Sequence, residues 1–199
     1  MTFGTITKPF LCSTLAALAF VALSPSRAAA QGDHDHAPAA PQKLTVTQQI
    51  QAQTLIAAVR DATTRFQDVN VATGEGYALN FGCVSGSDAG AMGLHYIKGA
   101  FLDDVIDVER PEIVLYEQQA DGQLLLTGAD YLVDAKLWNK KHKDPPQLMG
   151  QLFHLFDSPN RFGLPAFYTL HVWAWKENPN GAFTNWNPAV SCEAFTGQN

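Results

Sequence analysis

The strongest periodicity in the chain is helical. Ala52, Leu55, Val59, Ala62 and Phe66 recur every three or four residues, while Gln51, Gln53, Arg60 and Asp61 supply the other face. Thr45 followed three positions later by Gln48 is a capping-box pattern, so the spacing predicts one helix from about Thr47 to Phe66. Beyond it, glycines at 74, 76, 82, 86, 90 and 93 predict a loop-rich crossing with one short strand at Tyr77 to Phe81. Compact runs of strand type follow at Gly93 to Ile97, Glu112 to Gln118, Leu124 to Val133 and Phe167 to Trp175. Asp121-Gly122 marks a hairpin between the second and third of these runs. Trp138 to Pro165 reads as connection with a short helix around Gln147 to Phe156, and Asn178 to Glu193 as a series of turns.

One long helix followed by strands joined largely without helices predicts an α+β domain, an antiparallel sheet with the helix packed on one face. A small barrel or sandwich with the helix outside is the alternative. No repeat at the periods of solenoids or propellers is present.

The N-terminus reads differently from the rest. Lys8 precedes the uncharged apolar stretch Phe10 to Leu23, and Ser24-Pro25-Ser26-Arg27 leads into Ala28-Ala29-Ala30. A charged start, a short apolar middle and a small-residue site predict a secretory signal peptide over residues 1–30, cleaved after Ala30 and leaving no stable membrane anchor. Residues 31–43 are a polar, Pro/Ala-rich lead-in, and residues 44–199 form the single globular domain.

Export changes what the composition means. The 199 residues carry 13 Lys+Arg against 19 Asp+Glu; losing Lys8 and Arg27 leaves 11 basic residues and a formal charge of −8. Such a chain lacks the basic footprint that phosphate-backbone binding requires, which argues against a nucleic-acid partner. Three cysteines become two, because Cys12 leaves with the signal. In the periplasm or outside the cell thiols are oxidised, and neither remaining cysteine has a C-x-x-C partner, so a Cys83–Cys192 disulfide is expected.

Candidate chemistry is sparse. The glycine-rich stretch from Gly82 to Gly93 contains no G-x-x-x-x-G-K-[ST] and no strict G-x-G-x-x-G, so it reads as a loop bent around Cys83. Ser85 and Ser87 stand in neither a G-x-S-x-G elbow nor an S-x-x-K pair. Among six histidines, His34 and His36 lie in the lead-in and His142 in a lysine-rich loop, leaving His95, His154 and His171 in the apolar body. Asp33-His34-Asp35-His36 reads as a solvated tail with weak cation affinity. Strand alternation places His171 with Trp173 and Trp175, and His95 with Gly93 and Ile97, while Glu117 shares a face with Ile113 and Leu115. Were these faces to coincide, two imidazoles and a carboxylate would meet beside tryptophans. That set suits a transition-metal ion as cofactor, or acid–base work on a small molecule. Buried, hydrogen-bonded sheet residues are the plain alternative, since no H-x-H or H-E-x-x-H spacing links them.

Several segments carry a resemblance: Gly82-Cys83, Met92-Gly93-Leu94-His95-Tyr96, Leu126-Thr127-Gly128-Ala129-Asp130-Tyr131, Leu170-His171-Val172-Trp173-Ala174-Trp175 and Asn187-Pro188-Ala189-Val190-Ser191-Cys192. In these, most of the chain after Gly74 resembles a family of uncharacterised exported bacterial proteins. The resemblance implies kinship and brings no activity with it. Three readings stay open: a small-molecule- or metal-binding protein using His95, Glu117, His171, Trp173, Trp175 and His154, an enzyme using the same residues, and an envelope structural or interaction protein with no pocket.

Overall fold

The computed structural model describes residues 44–86 and 89–197. The signal-peptide and lead-in readings, with His34 and His36, lie outside the described residues. Helix α1 spans Val46–Thr63 and opens with the capping box of Thr45 and Gln48. A 3-10 turn at Thr64–Gln67 and the short helix α2, Val69–Gly74, follow it. Eight strands come next: β1 Ala78–Gly86, β2 Gly90–Ile97, β3 Ile113–Gln118, β4 Leu124–Asp134, β5 Gln147–Leu148, β6 Gln151–Leu152, β7 His154–Phe156 and β8 Phe167–Val172. Helix α3, Ala135–Lys141, lies between β4 and β5.

Six strands form one antiparallel sheet in the order β1-β2-β3-β4-β8-β7, an open half-barrel, while β5 and β6 make a separate hairpin. The architecture is therefore α+β, with the long helix on one face of the sheet. Leu55 and Val59 of α1 pack on Ala129, Tyr131, Val133, Leu170 and Val172, all fully or nearly fully buried. Phe66 and Ala72 extend the same layer over Leu94, Val114 and Tyr116. Three buried tyrosines on this face tie the sheet to its covering: Tyr77 donates to the Pro111 carbonyl, Tyr116 to the Phe66 carbonyl and Tyr131 to the Val108 carbonyl, at 2.7–2.8 Å. Burying an aromatic with its hydroxyl satisfied gains area without a desolvation penalty.

Several local expectations are corrected. The region read as a loop from Gly82 to Gly93 is largely the hairpin of β1 and β2, and Cys83 in β1 is bridged to Cys192 of the C-terminal segment. The expected helix at Gln147 to Phe156 is instead three short strands. Met149 and Gly150 both take positive φ, 49° and 86°, and turn the chain between β5 and β6. The helix of this region lies earlier, at α3, where the Asp134 carboxylate caps the Leu137 amide at 2.8 Å. The last strand of the sheet ends at Val172, because the Trp173 amide turns away to the Ala182 carbonyl.

Candidate functional site

Antiparallel register puts directly opposed residues on the same face of the sheet. Ala129, Tyr131, Leu170 and Val172 face the helix, so Asp130 and His171, which oppose each other across β4 and β8, face the other way. The pairs His95 with Leu115 and Ile97 with Ile113 fall on this second face, with Asn80 opposite His95. Helix α1 does not cover it, and the short helix α3 contributes Leu137 to it. It carries a cavity of about 510 Å³, a size usual for small-molecule sites.

The walls are mainly apolar. Phe81, Phe156, Phe162 and Phe167 form an aromatic side, with Phe156 stacked on Phe167 at 5.1 Å and Phe162 within 5.5 Å of Phe81. Phe81 reaches the cavity through an unusual backbone. It has φ +63° at a bulge where β1 slips register against β2, a conformation costing a bulky residue about 1–3 kcal/mol. The connection from β7 to β8, residues 157–166, spans from one sheet edge to the other. Arg161 donates to the Ser85 carbonyl at 2.9 Å, and Phe162 packs on Phe81, so the two edge strands are strapped together across the cavity.

Three of the polar groups in the wall, His95, Asp130 and Thr169, are buried. His95 is 5% exposed, and its Nδ1 lies 3.1 Å from the Gly93 carbonyl. A carbonyl only accepts, so Nδ1 carries the hydrogen and Nε2 presents a lone pair. Burial, only partly offset by that carbonyl, pushes its pKa down to about 4, leaving the ring neutral at pH 7. Gly93 is fixed by this arrangement: its φ is +89°, and an added Cβ would lie 2.5 Å from the Tyr116 carbonyl oxygen.

Asp130 is 5% exposed and accepts the Thr169 hydroxyl hydrogen bond. Burial raises its pKa to about 7 against the opposing effect of that hydroxyl and the Tyr131 backbone. Its neighbour His171 is 1% exposed, and neither ring nitrogen has a hydrogen-bond partner among the described residues. The nearest acceptor contact, Nδ1 to Asp130 Oδ2 at 4.0 Å, is too long for a hydrogen bond. Burial, then the nearby His95, keeps His171 well below its ordinary pKa, so it is neutral with one unspent N–H. Such an orphan costs about 1–3 kcal/mol and marks a place where packing alone does not account for the residue.

The residues singled out from sequence divide here. His95 and His171 come together, with ring centroids 6.5 Å apart, and Trp173 lies tilted against His171 at 4.4 Å, but of the three only His95 lines the cavity. Glu117 is engaged elsewhere: its oxygens accept from Lys176 Nζ at 2.5 Å and from the Ser191 amide at 3.0 Å, anchoring the C-terminal segment. Trp175 does not share the face of His171, since the strand has already ended; it donates to Thr63 Oγ1 on the helix side at 2.9 Å. His154 lies opposite Thr169 on the edge strand, but it is exposed and does not line the cavity. Sequence reasoning missed Asp130, Thr169 and the phenylalanine wall. A charged residue inside the apolar run Leu124 to Val133 was the signal for Asp130. Among the described residues no group of three or more His, Cys, Asp or Glu side chains is arranged to hold a metal ion, which leaves the transition-metal expectation without geometric support.

No protein-family model matches the chain, and neither the curated proteins nor the solved structures contain a match.

Proposed function

We propose that this is an exported protein of the periplasm or extracellular space that binds a small, largely apolar molecule in the cavity on the face of the sheet opposite α1. The observation that carries the reading is the cavity itself: about 510 Å³, walled by phenylalanines, with buried His95 and Asp130 among its few polar groups. The Asn185 Oδ1 on the cavity wall, buried with no partner among the described residues, supports it, because packing alone gains nothing from an unspent acceptor. Export rests on the signal-like N-terminus and is compatible with the disulfide. Kinship with exported bacterial proteins belongs to the same proposal.

Titration with the neutral dye Nile red tests it. Fluorescence should rise saturably with the unaltered protein and fail to do so with Leu132→Trp, which fills the cavity from β4, while the melting temperature of that variant stays close to that of the parent. Equal saturable binding by the filled variant would refute the assignment. A second reading, an acid–base enzyme on the same residues, is favoured by one observation, a cavity carboxyl with a pKa of about 7. Turnover of a cavity-bound molecule that stops in Asp130→Asn would distinguish it from binding alone.

A further inference from the structure

We infer that the ligand of this cavity is an amphipathic cation: an apolar, ring-sized body bearing a protonated amine, with Asp130 as its counter-ion. This rests on the binding reading above and adds the chemical class. Every charged side chain lining the cavity is acidic, namely Asp103, Asp130 and Asp134, and neither Lys nor Arg lines it. An anionic ligand would enter without a counter-charge, at a desolvation cost that nothing in the wall repays.

The hydrogen-bonding complement points the same way. His95 Nε2 offers a lone pair, because Nδ1–H is spent on the Gly93 carbonyl. Asn185 lines the cavity, and its Oδ1 is buried with no partner among the described residues. The Thr169 hydroxyl, a donor on the wall, is already committed to Asp130. Beyond the amide N–H groups of Asn80 and Asn185, the unspent polar atoms of the wall are acceptors. An ammonium group is all donor, with up to three N–H bonds to give and no lone pair to be left buried.

The charges at the mouth are partly neutralised and the deep one is not. Asp103 is 3.5 Å from Arg110, and Asp134 caps helix α3, whereas among the described residues Asp130 is paired with no cation, its neighbour His171 at 4.0 Å being neutral. The carboxyl available to a cation is therefore the buried one, where an ion pair is screened least. Phe81, Phe156, Phe162 and Phe167 supply the apolar side, and their ring faces favour a cation over a neutral group of equal size. A polyol would satisfy the acceptors but waste this wall.

The test compares three probes of one shape and different head groups on the purified, disulfide-intact protein: 4-phenylbutylamine, 4-phenylbutan-1-ol and 4-phenylbutanoate. Isothermal titration at pH 7.5, with Nile red displacement as the second readout, should give the amine at least a tenfold lower Kd than either partner. Asp130→Asn should remove that preference, weakening the amine tenfold or more and leaving the alcohol within about twofold. Alcohol or carboxylate binding as tight as the amine would overturn the cation assignment while leaving the binding cavity intact. Failure of all three, with no saturable dye binding either, would overturn both. The comparison of head groups on the unaltered protein decides the matter even where Asp130→Asn fails to fold.

Discussion

Glu112 and Asp130 bring carboxyls into the interior, where burial holds them at about 8 and about 7. Unfolded, both ionise near pH ~4, so from there to pH ~8 the folded state keeps protons that the unfolded state has lost. Their contribution is full below the unfolded pKa and disappears as pH rises through the folded one. The buried histidines act in the opposite sense: His95, lowered to about 4, and His171, held well below its ordinary value, stabilise the fold above pH ~6.5, and the His95 contribution shrinks as pH falls through about 4. The two sets oppose each other in acid, and only the carboxyls remain in play above pH ~6.5. Chemical denaturation midpoints should therefore fall between pH 6.5 and 8.5. Glu112→Gln, which keeps an acceptor for the Leu132 amide, should flatten that fall; an unchanged slope would contradict the titration of Glu112. At the same scale, Gly93→Ala forces a Cβ against the Tyr116 carbonyl and should cost about 1–3 kcal/mol in urea denaturation, with loss of the His95 contact to Gly93. His95 and His171 could be placed on their strands from alternation alone. Trp175 could not, because the strand's end depends on the Trp173 amide bonding Ala182, a partner nine residues on.

At the scale of elements, α1 was legible because its signals are local: a capping box and an apolar stripe that a sheet face then buries. Leu55→Ala should accordingly lower stability by about 2–5 kcal/mol in the same assay, since Leu55 is fully buried in the layer between helix and sheet. The β5–β6 hairpin was hidden because Met149 occupies a left-handed position that glycine or asparagine normally announces. The strap over the cavity was hidden for a different reason. Its anchors, Arg161 to the Ser85 carbonyl and Phe162 to Phe81, join residues more than seventy positions apart, so no window of sequence contains both. Arg161→Ala should free that strap: amide exchange across residues 157–166 should speed up measurably, with exchange in β3 and β4 unchanged, and uniform protection in the variant would show that Arg161 does not hold it.

For the whole molecule, the division of labour between the sheet's two faces is the main result. One face is filled by helix α1 and three hydroxyl-anchored tyrosines, and the other keeps a cavity whose polar groups are not all spent. The disulfide and the Glu117–Lys176 contact fix the C-terminal segment to the sheet. The bridge closes a loop with a sequence separation of 109, worth about 4–5 kcal/mol in the chain-entropy model, so Cys83→Ser with Cys192→Ser should lower stability by several kcal/mol while the cavity's lining stays in place. The α+β class followed from element order alone, but the cavity did not: its wall is drawn from the sheet strands, α3 and the strap together, and no local pattern encodes that meeting.

The proposed binding of small molecules on the face opposite α1 is open to a direct measurement. Amide chemical-shift mapping with 4-phenylbutan-1-ol tests it most directly, because it reports where a neutral probe goes without assuming a charge. Saturable shifts concentrated at Asn80, Phe81, His95, Asp130, Phe162 and Thr169 are the expected result. Shifts that never saturate, or that centre on Leu55, Val59 and the α1 face, would contradict it.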